Sequence, residues 1–194
     1  MPTGVALSDA RELLFGAAER VLLRDGPSAL TSRAVTAEAG VAKGVLHRHF
    51  ADFDAFLAEL VADRIARIGS QAAALRAAAG TGTVVGNLTG ALTDLFSSVA
   101  VAIVALVTFR DGLRARLRQA GHPGMPVLAE ATAMISAYLA AERDLGRIPA
   151  HADVGTLAAV LIGAAHLLFA GRQGVDAEDE AVHKLVTTVI GGVA

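Results

Sequence analysis

The chain has no cysteine, few aromatic residues and no recognisable catalytic motif. Without cysteine, a disulfide framework, a thiolate metal site and a cysteine nucleophile are all excluded. The six histidines form no H-E-x-x-H pattern, and no serine lies in a G-x-S-x-G turn. These absences predict a protein that is not an enzyme and that needs neither a metal nor a cofactor. An all-α enzyme with an unfamiliar catalytic arrangement is the alternative.

The chain also lacks an excess of charge of either sign. It has 17 basic and 19 acidic side chains, so its composition favours neither nucleic acid nor a membrane surface as a partner. Any such preference has to be local. The first residues lack the basic start and the continuous apolar run of a signal peptide, which predicts a cytoplasmic protein.

Long apolar runs are scarce, although the mean hydropathy of +0.52 is high. The longest candidate, residues 154–171, only just reaches the roughly 18 residues that a membrane-spanning helix needs, and it contains His166. A helix buried in a soluble assembly is the preferred interpretation. A membrane protein is the alternative.

Helix formers dominate what is present. Alanine and leucine are abundant, and the alternating β-branched runs of strands are missing, which predicts an all-α fold. The glycine-rich segment 80–86 has neither the spacing nor the preceding strand of a phosphate-binding loop, so it is interpreted as a break between helices. Breaks of this kind predict a first helix that ends at residue 26, two short helices over 31–40 and 41–50, and a further helix that begins at 52. They then predict helices over 84–118, 125–145, 153–172 and 178–190.

The stretch AGVAKGVLHRHF, residues 39–50, concentrates positive charge that the rest of the chain lacks. Between residues 31 and 50, Arg33, Lys43 and Arg48 stand against one acid, Glu38, so the local charge is 3 − 1 = +2 before either histidine is counted. On a helix, Leu46 points inward while small and hydrogen-bonding side chains stay outside. Such a surface suits a DNA major groove, because small side chains allow close approach and cations reach phosphates or base edges.

The longer segment ALTSRAVTAEAGVAKGVLHRHFADFDAFL, residues 29–57, resembles the helix-turn-helix of the tetracycline-repressor-like (TetR) family of transcriptional regulators. The resemblance lies in the helix cap at Thr31, the turn at Gly40, and the pair His49-Phe50, in the family's order. It implies a ligand-responsive DNA-binding regulator, a repressor that a small, mostly apolar effector releases from a palindromic operator in double-stranded DNA.

The same resemblance implies two domains and a division of roles within the first. Residues 1–51 would form a three-helix DNA-binding domain, and residues 52–194 a larger helical domain for effector binding and dimerisation. The family pattern assigns backbone contacts to Thr31 and Arg33, phosphate contacts to Lys43, His47 and His49, base reading to Ala42, Val45 and Arg48, and close approach to Gly44. The alternative is that these side chains are ordinary solvated surface.

Three positions depart from the family pattern. Thr36 stands where alanine is usual, which is expected to affect packing between the two short helices. His47 replaces a common tyrosine but keeps a ring donor that reaches a phosphate. Phe53 replaces a usual lysine, which removes a phosphate contact and should lower the salt dependence of binding by about 0.9 in log–log slope.

A helix-turn-helix reader normally works as a dimer, and the last two predicted helices carry apolar faces that suit one. Helical spacing and the family's four-helix dimer bundle point to Leu157, Leu161, Ala165, Leu168, Val182, Leu185, Val186 and Val189 as the interface. The alternative is that these faces pack only within their own subunit.

The segment between reader and dimer helices is expected to enclose the effector. Its candidate lining is Phe96, Phe109, Met134, Tyr138 and His166, with ordinary core as the alternative for each. Arginines 110, 114 and 118 form a helical stripe that is either a solvated face or a set of partners for acids of the first helix, which would couple effector to reader.

Overall fold

The computed structural model describes residues 7–170 and 179–192, and this part of the chain is all-α without a strand, which confirms the predicted fold class. The ten α-helices are α1 (Leu7–Asp25), α2 (Ser32–Glu38), α3 (Gly44–His49), α4 (Phe53–Ala77), α5 (Val84–Phe96), α6 (Ala100–Phe109), α7 (Asp111–Gln119), α8 (Pro126–Asp144), α9 (Val154–Ala170) and α10 (Asp179–Gly191), with a 3₁₀ turn at Pro27–Ala29. The predicted helix ends at 172 and 178 lie outside the described residues.

The predicted single helix over residues 84–118 is wrong, because this stretch forms three helices. At the first break the Ser98 hydroxyl donates to the carbonyl of Leu95 and accepts from the amide of Ala100, so it replaces helical backbone bonds. At the second break Arg110 has an extended backbone, with φ −122° and ψ 96°. No single described helix is long and apolar enough to span a membrane; α5 and α6 reach that only when taken together across their bend.

One compact unit is formed by the described residues up to Asp63 together with Ala102–Met125. It extends past the expected boundary at residue 51 because the first turns of α4 complete its core. Phe56 is fully buried, with its ring 5.0 Å from that of Phe50 and 5.6 Å from that of Phe15. Burial of three packed rings stabilises the unit more than their area alone would.

The other compact unit is formed by Arg64–Val101 and the described residues from Pro126 onward. In it α8 packs on α9, and α10 packs on both α5 and α9. Leu88, Leu92, Ile135, Leu161 and Val186 are fully buried at these contacts. The helices of this unit therefore meet along apolar faces, as their spacing predicts.

A buried carboxylate organises the start of the segment between α4 and α5. Glu142 is fully buried, accepts from the Tyr138 hydroxyl at 2.6 Å and from the Gly80 amide at 3.3 Å, and pairs with Arg147 at 3.3 Å. The Asn87 side chain donates to the same tyrosine at 3.0 Å. The pKa of Tyr138 is raised to about 12 by burial and by its bond to Glu142. This network satisfies polar groups that would otherwise be costly to bury.

Candidate nucleic-acid interface and ligand cavities

The helix α2 is held at both ends by side chains of its own unit. Its N-cap is Thr31, whose hydroxyl oxygen accepts from the amide of Ala34 at 3.1 Å. Near its C-terminus, Glu38 accepts from Arg20 at 2.7 Å and from Arg24 at 2.8 Å, both on α1. These bonds lower the pKa of the Glu38 carboxyl. The single acid of the basic segment is thus turned toward α1.

The turn between α2 and α3 depends on Gly40. Its φ of +67° lies in the left-handed region that favours glycine. The Gly40 amide bonds to the carbonyl of Ala37 at 3.1 Å, and the Val41 amide bonds to that of Thr36 at 3.0 Å. This pair of bonds is a Schellman motif, which ends α2 and sends the chain directly into α3.

The nine residues predicted to contact DNA all lie at the surface of this motif. Seven are exposed and two are half-buried; the exposed residues are Thr31, Arg33, Ala42, Lys43, Gly44, His47 and Arg48, and the half-buried ones are Val45 and His49. Leu46 and Phe50 are buried beneath them, as the helical spacing predicts. The roles assigned to the individual surface residues remain predictions.

The cations of this surface have no acidic partner among the described residues. Arg33, Lys43 and Arg48 take part in none of the ion pairs or hydrogen bonds found there. Glu38, the only acid among residues 31–50, is paired with two arginines of α1. The positive charge of the motif is therefore available to an external anion such as phosphate.

Two of the departures from the family pattern are accommodated by local contacts. Thr36 is buried, and its hydroxyl donates to the carbonyls of Ser32 at 3.0 Å and Arg33 at 3.2 Å, so its polar group is satisfied. The ring of Phe53 stacks on that of Phe56 at 5.6 Å, and the Arg110 guanidinium lies 5.0 Å from its centroid. The position that lacks the family's lysine thus lies beside a cation from the junction between α6 and α7.

The N-terminus of α4 is tied to α7 by two ion pairs. Arg110 donates through Nε to Asp54 at 2.6 Å, and Arg116 pairs with Asp52. Gly112 lies so close to Asp54 that any Cβ at that position would overlap the carboxylate. Sequence analysis missed Gly112 and Arg116, because only the fold brings residues 52–54 beside residues 110–116.

The arginine stripe separates into different environments. Arg110 meets an acid of α4, whereas the sequence suggested acids of α1 as the sharper alternative. Arg114 pairs with Asp111 of its own helix and donates to the carbonyl of Thr108. Arg118 is exposed and has no ion pair among the described residues. Only the first of the three links α7 to another helix.

The five candidate effector residues do not line one cavity. Of the five, only Met134 borders the cavity of about 360 Å³ between α4 and α5, which is lined by Gln71, Ala74, Leu75, Ala78, Gly86, Asn87, Gly90, Ala91, Asp94 and Met134. Tyr138 is fully buried and reaches this cavity only through Asn87. Phe96 packs against His166 at 5.9 Å, whose buried Nδ1 has no hydrogen-bond partner. Phe109 is 84% exposed and belongs to the other unit.

The eight candidate dimer residues divide into two groups. Leu157, Leu161, Ala165, Val182 and Val186 are buried within the chain itself, as the alternative interpretation holds. Leu168, Leu185 and Val189 are partly exposed. The most exposed apolar residues of α9 are instead Val160, at 46%, and Leu167, at 72%. The sequence pattern located the helices correctly but could not separate the inward face from the outward one, since both are apolar.

Residues 14–60 match the family model described as bacterial regulatory proteins, tetR family. No curated protein matches the chain. Among solved structures, the fatty acid degradation regulator FadR from Bacillus halodurans superposes with a TM-score of 0.72 at 16% identity, covering 100% of this chain and 98% of that one. FadR from Bacillus subtilis in complex with stearoyl-CoA superposes with a TM-score of 0.67 at 17% identity, covering 94% of this chain and 99% of that one. A transcriptional regulator from Rhodococcus sp. Rha1 superposes with a TM-score of 0.68 at 20% identity, covering 94% of this chain and 95% of that one.

Proposed function

We propose that this chain, whose residues 14–60 match the model of the tetR family of bacterial regulatory proteins, is a homodimeric cytoplasmic repressor of that family without catalytic activity. It binds a palindromic operator in double-stranded DNA and releases it when a small, mostly apolar effector binds. The observation that carries the proposal is the exposed set of cations at Arg33, Lys43 and Arg48, which have no acidic partner in the described chain.

The proposed contacts divide between positioning and reading. Lys43, His47 and His49, with Thr31 and Arg33, hold phosphates and fix the register of α3 in the major groove. Arg48 pairs with guanine, and the methyl groups of Ala42 and Val45 meet thymine methyls. Gly44 supports this arrangement, because nothing lies within 4 Å of the position that its Cβ would take, so the surface is open there.

The first experiment is a fluorescence anisotropy titration of the full chain against a pool of short duplexes that includes its gene's own upstream DNA, at two salt concentrations. We expect tight binding that weakens with salt and is lost in Lys43→Ala/Arg48→Ala. The charge-matched control is Arg76→Ala/Arg118→Ala, which removes two exposed cations outside residues 31–49. Equal losses in both double variants, or no binding by the folded wild type, would contradict the assigned surface.

The proposed effector site is the cavity between α4 and α5. Its volume is about 360 Å³, and small apolar residues outnumber the polar Gln71, Asn87 and Asp94 in its lining, which supports a mostly apolar ligand with a few hydrogen bonds. The FadR structure from Bacillus subtilis contains stearoyl-CoA. The apolar acyl chain of that compound is the part that suits this lining, so stearoyl-CoA is the first probe. Release follows if the effector binds best to a conformation in which the two readers are wrongly spaced.

Gly90→Leu and Gly69→Leu form a matched pair for testing this site. Both glycines are helical, and nothing lies within 4 Å of a Cβ at either position, but only Gly90 lines the cavity. Stearoyl-CoA should release DNA from the wild type and from Gly69→Leu but not from Gly90→Leu. Release from all three proteins alike would place the effector elsewhere.

The proposed dimer interface is the outward face of α9 with α10. A groove of about 530 Å³ runs between these helices and is lined by Ala164, Leu167, Leu168, Ala181, Lys184, Leu185 and Thr188. Exposed apolar side chains beside small residues allow close approach of a second copy. The partly exposed residues of the predicted set, Leu168, Leu185 and Val189, thus remain candidates. Val160, Gly163 and Leu167 join them because they are exposed on α9.

A further inference from the structure

A second cavity lies within the unit that contains the helix-turn-helix. It has a volume of about 440 Å³ and is lined by Pro27, Ser28, Ala105, Leu106, Phe109 and Arg110. Its walls are the 3₁₀ turn after α1 and the second half of α6. Neither the proposed DNA contacts nor the effector cavity between α4 and α5 uses any of these residues.

Phe109 is not covered by any packing among the described residues. Its side chain is 84% exposed, although it ends an otherwise apolar helix and borders a concave surface. Leu106, about one turn earlier, is only 2% exposed and forms the floor of the cavity. An aromatic ring that is left open beside an apolar cavity offers a stacking surface to a ligand.

The charge of the cavity comes from one residue. Arg110 is the only ionisable group in the lining, and Ser28 adds the only side-chain hydroxyl. Among the described residues Arg110 donates through Nε to Asp54 at 2.6 Å, while its two terminal nitrogens make no hydrogen bond. A guanidinium bound along one edge keeps donors for a second carboxylate along another.

We propose that this cavity binds a small apolar carboxylate. The hydrocarbon body lies against Leu106 and Phe109, and the carboxylate accepts from the terminal nitrogens of Arg110. The volume falls within the usual range for small-molecule sites, and a single cation in an apolar lining selects an anion over a neutral or cationic analogue.

The site is connected to the reader through the same guanidinium. Arg110 holds Asp54 and lies over the ring of Phe53, so it anchors the first turn of α4. A bound carboxylate shares this cation and weakens that anchor. The expected decrease in operator affinity rests on the proposed function, whereas binding of the carboxylate to the cavity does not depend on it.

The experiment measures binding without DNA, by isothermal titration calorimetry of the full chain with 2-naphthoate. The neutral analogue is 2-naphthylmethanol and the cationic one is 2-naphthylmethylammonium. We expect 2-naphthoate to bind about tenfold more tightly than the alcohol, because a charged hydrogen bond is stronger than a neutral one by about 1.4 kcal/mol. No binding by the folded wild type, or equal affinity for the three probes, would overturn the proposal.

Variants locate the site. Ala105→Phe fills the cavity, and Phe109→Ser removes the stacking surface; both should abolish binding of 2-naphthoate. The control for the latter is Leu23→Ser, since Leu23 is an apolar residue of the same unit that is 61% exposed and does not line the cavity. Gly90→Leu, which blocks the α4–α5 cavity, should leave the affinity unchanged. Loss of binding in Gly90→Leu, or its persistence in both Ala105→Phe and Phe109→Ser, would assign the ligand elsewhere.

Discussion

The carboxylate of Asp54 occupies the space in which a Cβ atom on residue 112 would stand. The same carboxylate accepts from Arg110 at 2.6 Å, and it lies against the first turn of α7, where negative charge is favourable. A side chain at position 112 would therefore have to displace this carboxylate, whereas the backbone conformation there does not favour glycine. The close contact between the start of α4 and the first turn of α7 is possible because Gly112 has no Cβ atom.

Gly112→Ala should lower the free energy of unfolding by about 1–2 kcal/mol, because the overlap outweighs the better helix propensity of alanine. Urea unfolding followed by circular dichroism measures this change. In an Asp54→Ala background the same substitution should be neutral or stabilising, since the overlapping group is gone. Gly69→Ala is the control, because its Cβ meets nothing within 4 Å. A loss that persists in the Asp54→Ala background would mean that another contact is responsible.

Thr31 has two assigned roles that substitutions can separate. Thr31→Ala should lower stability by about 1 kcal/mol through loss of the cap on α2, and it should also weaken DNA binding. Thr31→Asp keeps a capping oxygen but places a negative charge at the phosphate surface, so stability should hold while DNA affinity falls. Chemical denaturation and anisotropy measure the two effects.

Thr83→Ala is the matched control for Thr31, since Thr83 caps α5 by accepting from the amide of Gly86 at 2.9 Å. It should lower stability by a similar amount and leave DNA binding unchanged. If Thr31→Asp bound DNA as tightly as the wild type, Thr31 would be a structural cap without a phosphate contact.

The helix-turn-helix could be predicted from sequence because its signals are local. The cap at Thr31, the left-handed turn at Gly40 and the buried Leu46 are each fixed by residues within a few positions. The all-α fold followed from composition for the same reason. The break at Ser98 was missed because a serine within an apolar run is compatible both with a continuous helix and with a break. The sequence does not show whether its hydroxyl will replace a backbone hydrogen bond of the helix.

The sites built by tertiary structure could not be predicted. Phe109 and Met134 are both apolar residues on predicted helices, yet one borders a cavity beside the reader and the other a cavity between α4 and α5. Likewise α9 is apolar on every side, so Leu161 and Leu167 look alike in sequence although the first is buried and the second is 72% exposed. Periodicity identifies a face only when the opposite face is polar.

Leu167→Lys should convert the proposed dimer to a monomer, because a charged side chain at the centre of an apolar interface would be buried without a partner. Sedimentation velocity measures the change. Leu145→Lys is the control, since Leu145 is 57% exposed on the same unit but lies outside the α9–α10 groove. A wild type that sediments as a monomer, or a Leu167→Lys variant that remains a dimer, would contradict this interface.

Glu142→Ala should destabilise the fold by about 2–4 kcal/mol, because it leaves the buried Tyr138 hydroxyl and the Gly80 amide without their acceptor. Thermal and urea unfolding measure the loss. Asp144→Ala removes the same charge from an exposed position of the same helix and should change stability by less than about 0.5 kcal/mol. Similar effects of the two substitutions would mean that the buried network contributes little.

His166 should make the free energy of unfolding depend on pH at values below about 6.5, the ordinary pKa of histidine. Its pKa is lowered from 6.5 because burial disfavours the charged ring, so the folded state binds fewer protons than the unfolded state. The stability is therefore fully present above about pH 6.5 and is lost as pH falls from there toward the lowered folded value. His166→Gln should show a smaller loss of stability between about pH 7.5 and about pH 5.5 in urea unfolding. His151→Gln, at an exposed position, should follow the wild type; a wild-type pH dependence in His166→Gln would assign the titration to another group.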